Sequence, residues 1–361
     1  MKNILHIIES LEFGGAEKVV LHLANGLSDK YNISICVTKR EGELLKELKD
    51  NISIFSLKSD DGNNLSTIRK IAKIIKDNKI NVVHIHNWGV FIESTLASKL
   101  CGVDRIIHTV HGPYISYSNE FISNLKKFIR HSIERLISKY IYKFITVSKS
   151  IKDYMVDDIG INKNKIITIH NGIAGLNKSA HCSSSKKILN LISIGRVAKI
   201  KNHYLLLDAL NKINNSIDYN LTVVGDGPEL NNIKKYCDKL KLNDKVNFLG
   251  FRNDIENILV DMDLCIVTSD YEGISIAILE SMSVGIPVIA TSVGGNPETV
   301  INEETGLLIE KGNVDALADA ILKLSNNRSL LDTMGIASYQ RFKNYFHESI
   351  VFNAYSLIYD E

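Results

Sequence analysis

Cysteine is scarce in this sequence and follows no pattern. The five cysteines are Cys36, Cys101, Cys182, Cys237 and Cys265, with no C-x-x-C pair among them. An odd number of cysteines without metal-ligand spacing argues against both a disulfide framework and a zinc site. The cysteines are instead typical of buried thiols in a reducing compartment, which favours a cytoplasmic protein.

The sequence also lacks a long hydrophobic run and an excess of charge. No segment approaches the ~20 apolar residues that a membrane-spanning helix needs, and the run Ile4–Ile8 is too short for the core of a signal peptide. The 43 Lys and Arg residues nearly balance the 41 Asp and Glu residues. A net charge of +2 does not indicate a nucleic-acid partner, and we expect none.

Proline is rare, with 4 residues, whereas the 22 glycines cluster in turns. The clusters Gly14-Gly15, Gly225-Asp226-Gly227 and Gly294-Gly295 indicate loops in which the backbone comes close to a ligand. The first two do not complete a G-x-G-x-x-G motif, which argues against a nicotinamide dinucleotide site.

Short apolar runs alternate with helical patterns along the whole chain. Strands are predicted at 4–8, 33–38, 52–57, 82–86, 105–110, 144–147 and 166–169, and again at 188–194, 219–224, 245–249, 263–267, 286–291 and 306–309. Helices are predicted at 15–27, 64–77, 90–101, 120–142, 149–158, 201–213, 228–240, 253–260, 274–284 and 313–325, with a helical tail over 328–360 broken near 345–347. Such alternation predicts parallel sheets covered by helices on both faces.

The strand–helix pattern occurs twice, on either side of a polar, aperiodic segment at 177–187. The 361 residues are also too many for one comfortable core. We therefore expect an α/β protein with two Rossmann-like domains, 1–172 and 188–340, joined by a linker at 173–187. The final segment, 341–361, is expected to form a helix that packs back on the first domain. Ligands bind beyond the carboxyl ends of parallel strands, so the cleft between the domains is the expected site.

The segment from Ser269 to Met282 is the most informative part of the sequence. It follows an apolar strand and opens an amphipathic helix, with Glu272 just before the helix and Glu280 about two turns into it. The helix start would present unpaired amides to an anion such as a diphosphate, namely those of Gly273, Ile274 and Ser275. An ordinary helix with an exposed Glu280 is the alternative, but the apolar residues after Glu280 indicate a buried carboxylate that needs a partner.

This segment resembles the signature of family 4 glycosyltransferases, which have the GT-B fold. The resemblance rests on Glu272 and Glu280, with seven residues between them, and on the motif at 285–298. It extends over nearly the whole chain through shorter motifs at 10–17, 110–112, 147–148, 170–173, 194–202, 225–228 and 249–252. Each motif alone is weak, but their order and spacing are specific.

The resemblance implies a retaining transfer of a sugar from a nucleoside-diphosphate donor, with no metal and no other cofactor. The D-x-D-like segment Asp261-Met262-Asp263 leads into a buried strand and does not contradict this. Arg196 and Lys201 would neutralise the leaving diphosphate. The other implied roles are Glu272 on the donor-sugar hydroxyls, Glu280 on the ribose, Asn171 in donor binding, and His111 at the donor sugar or the acceptor.

Some of these positions keep a structural alternative. Gly14 and Gly15 separate the first strand from the first helix and would let amides approach a phosphate or an acceptor. Gly225 lies in a turn near the expected nucleotide base, for which a purely structural role fits equally well. His84 and His86 alternate along one strand and are assigned a structural role.

Apolar residues recur at three- and four-residue spacing within 121–144, with six basic residues between them opposed only by Glu134. A basic amphipathic helix of this kind can lie on an anionic membrane surface. An ordinary packed helix with a solvated basic face is the alternative. Because related enzymes often act on lipid-linked acceptors, we expect peripheral contact with the inner face of the plasma membrane.

The expected reaction is transfer from an NDP-sugar, with UDP as the expected nucleotide, to a hydroxyl of a glycan or a polyprenyl-diphosphate-linked acceptor in cell-surface polysaccharide synthesis. A GT-B nucleotide-sugar epimerase is one alternative, and a non-catalytic scaffold that binds sugar nucleotides is another. A membrane-surface adaptor would explain only residues 121–144.

Overall fold

Every strand pairing in the computed structural model is parallel, and the strands form two separate sheets. The structure describes residues 1–12, 14–59, 64–112, 120–176 and 188–361. It divides into two units, which we call unit 1 (1–171 with 349–361) and unit 2 (172–348). Most of the predicted linker, 177–187, lies outside the described residues.

Unit 1 contains a seven-stranded sheet of order β3-β2-β1-β4-β5-β6-β7. Its strands are β1 (Asn3–Ser10), β2 (Asn32–Arg40), β3 (Ser53–Ser56), β4 (Val82–His86), β5 (Arg105–Val110), β6 (Lys143–Thr146) and β7 (Ile166–Thr168). Its helices before residue 171 are α1 (Gly15–Leu27), α2 (Leu65–Asp77), α3 (Phe91–Leu100), α4 (Glu120–Ile137) and α5 (Lys149–Tyr154).

Unit 2 contains a six-stranded sheet of order β10-β9-β8-β11-β12-β13. Its strands are β8 (Leu189–Ile194), β9 (Tyr219–Val224), β10 (Val246–Gly250), β11 (Leu264–Val267), β12 (Val288–Thr291) and β13 (Gly306–Ile309). Its helices are α6 (His203–Ile213), α7 (Leu230–Lys239), α8 (Ile255–Leu259), α9 (Ile276–Ser283), α10 (Asn296–Thr299), α11 (Val314–Ser325) and α12 (Arg328–Tyr345).

The last helix, α13 (Glu348–Asp360), packs within unit 1. The Lys2 ammonium donates a hydrogen bond to the carbonyl of Tyr359 at 2.7 Å, and the Tyr31 hydroxyl donates to the Asp360 carboxylate at 2.8 Å. At Gly26, on α1, an added Cβ would lie 2.1 Å from the Phe352 ring. The helix therefore lies close against α1 and the sheet.

The observed strands coincide with the predicted ones, and the predicted α/β fold class is confirmed. Central strands are buried along their whole length, as in Leu264–Val267 and Val288–Thr291, because helices cover both faces of a parallel sheet. Two predicted helices change their type near the end. The helix predicted at 120–142 is an α-helix to Ile137 and a 3-10 helix from Ser138 to Tyr140. The helix predicted at 149–158 is an α-helix to Tyr154 and continues as a π-helix to Ile159.

Each sheet has a topological switch point, where the connections that leave two neighbouring parallel strands run toward opposite edges of the sheet. It lies between β1 and β4 in unit 1 and between β8 and β11 in unit 2. Loops that follow these strands diverge and leave a crevice at the carboxyl ends. The predicted site residues Arg196, Lys201 and Glu272 all follow β8 or β11.

Candidate functional site

The loops after β8 and β11 are hydrogen-bonded to each other at the switch point of unit 2. The Thr268 hydroxyl donates to the carbonyl of Lys201 at 3.0 Å, and the Asp270 amide donates to the carbonyl of Ile200 at 2.7 Å. The Asn202 side-chain amide donates to the Asp270 carboxylate at 3.2 Å. These bonds fix the positions of the side chains that the two loops carry.

Lys201 and Glu272 form an ion pair across these loops. The Lys201 ammonium donates to Oε1 of Glu272, and the Ser269 hydroxyl donates to the same oxygen at 2.6 Å. The two charged side chains are only 26% and 10% exposed, so water screens their interaction less than it screens a surface pair. The sequence predicted both residues at the site, but it gave no indication of their contact across 71 positions.

Arg196 is an exposed cation of the same region. It follows Gly195, whose φ of +144° turns the chain at the end of β8. Among the described residues, the guanidinium has no hydrogen-bond or ion-pair partner. It therefore remains available to an anion that approaches this edge of the sheet.

The helix after Glu272 begins later than predicted. The amide of Gly295 donates to the carbonyl of Glu272 at 3.0 Å, and a Cβ added to Gly294 would lie 1.8 Å from that carbonyl oxygen. Glu272 and Gly273 lie against this glycine turn, and α9 begins at Ile276, with Ser275 as its N-cap residue. The prediction that Gly273 and Ile274 open the helix is wrong, since both lie in the loop before it.

Glu280 is buried on α9, as predicted, with 8% of its surface exposed. Every residue of α9 from Ala277 to Ser283 is buried. Burial raises the pKa of the Cys265 thiol on β11 to about 12, and the nearby Glu280 carboxylate contributes in the same direction. Glu280 therefore lies near Cys265, in the amino-terminal half of β11, in an environment that water hardly reaches.

Gly225 has a packing reason to be glycine. Its φ is +140°, and an added Cβ would lie 1.9 Å from the carbonyl oxygen of Gly195. At Gly227 an added Cβ would lie 2.4 Å from the carbonyl oxygen of Val197. The turn after β9 thus supports the segment that carries Arg196, which favours the structural alternative for Gly225 itself.

The predicted site residues of unit 1 lie at several places along the carboxyl edge of its sheet. Gly14 is the extended N-cap residue of α1, and an added Cβ at Gly15 would meet no atom of the described residues within 4 Å. His111 follows β5, whereas Asn171 is buried beyond β7, two strands away. The α1 start is therefore open at Gly15, and Asn171 belongs to a different part of the edge from His111.

A cluster of buried histidines lies beneath this edge. The His84 ring nitrogens lie 2.6 Å from the Tyr359 hydroxyl and 2.7 Å from the Thr109 hydroxyl. Nδ1 of His6 lies 3.0 Å from Nε2 of His86. His84 and His86 thus have the structural contacts predicted for them. Sequence reasoning missed His6, which the register of β1 places opposite His84.

Three of these imidazoles lie close enough together to be considered as metal ligands. One ring nitrogen from each of His6, His84 and His86 lies within 4.8 Å of the others, and all three residues are buried. However, both ring nitrogens of His84 are hydrogen-bonded, and His6 and His86 are bonded to each other. A metal ion would have to break these bonds, so the arrangement does not fit a resident metal.

A cavity of about 400 Å³ opens near the same edge of unit 1. The Arg130 guanidinium lies 4.4 Å from the centroid of the Trp88 ring in its wall. The lining residues combine cationic and apolar side chains: Lys39, Trp88, Gly89, Ile92, Lys126, Ile129, Arg130 and Ile133. The cavity suits a ligand that has both an anionic and an apolar part.

Helix α4, which lines this cavity, also exposes apolar side chains. Leu125, Phe128 and Leu136 are 51%, 70% and 65% exposed. The side chain of Phe121, which belongs to the predicted apolar series, lies outside the described residues. None of the described helices is both long enough and apolar enough to cross a bilayer.

Comparison with known proteins identifies the class to which this fold and site belong. The model of Glycosyltransferase Family 4 matches residues 13–174, and that of Glycosyl transferases group 1 matches residues 180–341. N-acetyl-alpha-D-glucosaminyl L-malate synthase of Bacillus anthracis is 30% identical over 82% of this chain and 78% of its own length. The chain belongs to glycosyltransferase family 4.

Two further similarities fall within the same class. UDP-Gal:alpha-D-GlcNAc-diphosphoundecaprenol alpha-1,3-galactosyltransferase of Escherichia coli is 29% identical over 84% of this chain and 82% of its own length. The crystal structure of Anabaena HepE in complex with UDP and glucose superposes with a TM-score of 0.84 at 20% identity, over 100% of both chains. The two parallel-sheet units therefore form the GT-B fold, as predicted.

Proposed function

We propose that the protein is a retaining glycosyltransferase that moves a sugar from a UDP-sugar to a hydroxyl of a lipid-linked or glycan acceptor, without a metal ion. The observation that carries the proposal is the partly buried Lys201–Glu272 pair beside the exposed Arg196 at the switch point of unit 2. UDP is proposed because the E. coli relative is named for UDP-Gal and the HepE structure contains UDP.

In this proposal, the charged residues of unit 2 bind different parts of the donor. Arg196 and Lys201 neutralise the diphosphate as it leaves, a role for which preorganised cations are effective. Glu272 accepts hydrogen bonds from the donor-sugar hydroxyls, and Glu280 holds the ribose. The Lys201 ammonium donates a hydrogen bond to Glu272. When the donor binds, the ammonium must therefore interact with both the carboxylate and the diphosphate.

The cavity of unit 1 is the proposed site for the acceptor. An acceptor carrying a diphosphate and a polyprenyl chain has the anionic and apolar parts that its walls suit, and the E. coli relative is named for such an acceptor. The exposed apolar residues of α4 would enter the interface of an anionic membrane while its lysines contact the headgroups. We place the enzyme at the inner face of the plasma membrane, in cell-surface polysaccharide synthesis.

The proposal is tested by release of UDP or GDP from a panel of nucleotide sugars. Wild type should hydrolyse one donor slowly without an acceptor, whereas Lys201→Ala and Glu280→Ala should not. Lys212→Ala is the matched control, because Lys212 also pairs with a carboxylate in unit 2 but is 54% exposed. It should hydrolyse the donor at the wild-type rate.

Three outcomes would contradict the proposal in different ways. Donor binding without turnover, even with an acceptor extract, would indicate a scaffold that binds sugar nucleotides. An altered nucleotide sugar without free UDP would indicate an epimerase. Equal loss in Lys212→Ala and Lys201→Ala would show that the Lys201–Glu272 pair has no special role.

A further inference from the structure

Arg341, on α12, caps the end of the short helix α10. Its Nε donates a hydrogen bond to the carbonyl of Thr299 at 2.7 Å, and its Nη2 donates to the carbonyl of Glu298 at 2.6 Å. These carbonyls end α10 and have no partner within the helix. The guanidinium also lies 5.1 Å from the centroid of the Tyr345 ring and 5.6 Å from that of Phe346. Two carbonyls and two rings therefore fix its planar fork.

The other end of α10 contacts the loop that carries Glu272. The Gly295 amide donates to the carbonyl of Glu272 at 3.0 Å, and a Cβ added to Gly295 would lie 1.8 Å from the carbonyl oxygen of Gly273. Because α10 is a single turn of four residues, a shift at its end is transmitted to its start. The Arg341 bonds at one end therefore support the backbone of Glu272 at the other.

A second series of hydrogen bonds connects α10 to the Glu272 side chain. The Asn296 side-chain amide donates to the carbonyl of Thr291 at 2.9 Å, and the Thr291 hydroxyl donates to the carbonyl of Ser269 at 2.6 Å. The Ser269 hydroxyl in turn donates to Oε1 of Glu272 at 2.6 Å. Asn296, Thr291 and Ser269 are each at most 1% exposed, so water hardly competes for these bonds. Both the backbone and the carboxylate of Glu272 thus depend on the position of α10.

The two cations of the site are supported by other contacts. The backbone carbonyl of Lys201 accepts a hydrogen bond from the Thr268 hydroxyl. The turn at Gly225 and Gly227 lies against the segment that carries Arg196. A displacement of α10 should therefore move Glu272 more than it moves Lys201 and Arg196.

We propose that Arg341 is a positioning residue for sugar transfer: by bonding the end of α10, it holds the Glu272 carboxylate where the donor sugar binds. The hold on Glu272 depends only on contacts within unit 2, whereas the role toward the sugar rests on the proposed function. In that function Arg196 and Lys201 bind the diphosphate. Loss of Arg341 should therefore impair use of the sugar while UDP binding is retained.

Arg328 provides a matched control on the same helix. It lies about 20 Å from Arg341 along α12, and its guanidinium lies 3.5 Å from the buried Asp263 carboxylate. Asp263 directly precedes β11, at the amino-terminal edge of the sheet. Arg341→Met and Arg328→Met therefore each remove a bonded guanidinium from α12, but only Arg341→Met removes one that bonds α10.

Hydrogen exchange of the full chain tests the hold on Glu272 without any substrate. In Arg341→Met, peptides that cover 269–275 and 293–299 should exchange at least about tenfold faster than in wild type, because two bonds from a charged donor are lost. Peptides that cover 189–203 should change by less than about twofold. An equal change throughout unit 2, or the same increase at 293–299 in Arg328→Met, would overturn the proposal.

Arg341→Lys extends the exchange test to a milder change. It retains the cation but cannot reproduce the planar fork, so its increase at 293–299 should lie between wild type and Arg341→Met, at about threefold. If Arg341→Met does not fold, Arg341→Lys decides the question alone. Wild-type exchange at 293–299 in Arg341→Lys would then contradict the proposal.

UDP binding and donor turnover test the role toward the sugar. Calorimetry should give a Kd for UDP in Arg341→Met within about twofold of wild type. For the nucleotide sugar of the panel that wild type hydrolyses fastest, kcat/KM should decrease about three- to tenfold. Equal decreases in UDP binding and in turnover would show that Arg341 only stabilises unit 2. A wild type that hydrolyses no nucleotide sugar would contradict the proposed function, and the exchange result would still decide whether Arg341 holds Glu272.

Discussion

Unit 1 and unit 2 share one strand order around their switch points, but the side chains near the switch point are neutral in unit 1 and charged in unit 2. The order β3-β2-β1-β4-β5-β6 of unit 1 is repeated as β10-β9-β8-β11-β12-β13 in unit 2. Beneath the edge of unit 1 lie neutral, buried imidazoles, whereas unit 2 has the Lys201–Glu272 ion pair and the exposed Arg196. The fold determines where a ligand site forms, and the side chains after the central strands determine which charges it offers.

This difference has a physical consequence for what each unit can bind. A neutral imidazole orients a substrate hydroxyl without attracting charge, which suits an uncharged sugar or acceptor group. Cations at the edge of a sheet stabilise a diphosphate, and the carboxylate that pairs with Lys201 offsets part of their positive charge. Each of the following predictions tests this contrast between the two units.

Acid should destabilise unit 1 more than unit 2, and this is the largest effect that we expect. Five histidines near the edge of unit 1 have lowered pKa values because they are buried: His6, His84, His86, His108 and His111. In unit 2, burial lowers the pKa of His203 to about 4. These histidines bind protons more readily in the unfolded chain than in the folded one. The free energy of unfolding therefore has its full value above about pH 6.5 and decreases as the pH falls, by up to ~1.4 kcal/mol per pH unit for each histidine.

The single tryptophan, Trp88, makes this measurement direct, since its fluorescence reports the unfolding of unit 1. Urea unfolding followed by Trp88 should shift to lower urea between pH 7 and pH 5. Hydrogen exchange of unit 2 peptides, corrected for the intrinsic rate, should change less. Equal loss of protection in both units would contradict the contrast between them.

Glycine-to-alanine substitutions should distinguish a turn in which a Cβ would clash with the backbone from a turn in which it would not. Gly225→Ala should destabilise unit 2 by ~1–3 kcal/mol, because the left-handed backbone and the contact with Gly195 leave no room for a Cβ. Gly15→Ala should leave stability within about 0.5 kcal/mol of wild type, because its Cβ would lie more than 4 Å from every atom in the part of the chain that the structure describes. Urea unfolding measures both variants. A stable Gly15→Ala variant with weaker donor or acceptor binding would indicate that Gly15 leaves room for a ligand.

The smallest expected effect is on membrane contact. Phe128→Ser should weaken binding to vesicles of anionic lipid by about tenfold, the effect of losing one inserted aromatic side chain. Leu357→Ser is the matched control, because Leu357 is 71% exposed on α13, and Phe128 is 70% exposed on α4. Cosedimentation checks both variants. A similar decrease in both would indicate non-specific adsorption.

Local patterns in the sequence were sufficient to predict the strands, most helix limits and the break before α13. Apolar periodicity reports which face of an element is buried, and that determines strands and helices in a parallel α/β fold. The sequence also placed Arg196, Lys201, Glu272 and Glu280 in loops or helices beside the central strands of unit 2. Their burial and positions follow from the elements that carry them.

Contacts between distant segments could not be predicted in the same way. The Lys201–Glu272 pair and the His6–His86 hydrogen bond depend on strand order and register, which single-strand patterns do not report. The contact of Glu272 and Gly273 with the turn at Gly294 and Gly295 likewise joins segments on either side of α9. Sequence reasoning therefore named candidate site residues but not the partners that these residues contact.

The central claim, that the Lys201–Glu272 pair is the donor site, is tested most directly by calorimetric binding of UDP to three proteins. Lys201→Ala should bind UDP at least about tenfold more weakly than wild type, because it removes a cation from the diphosphate. Glu272→Gln should bind UDP as tightly as wild type or more tightly, because it frees Lys201 from its partner, yet it should lose sugar transfer. Equal weakening in both variants, or no change in either, would contradict the account.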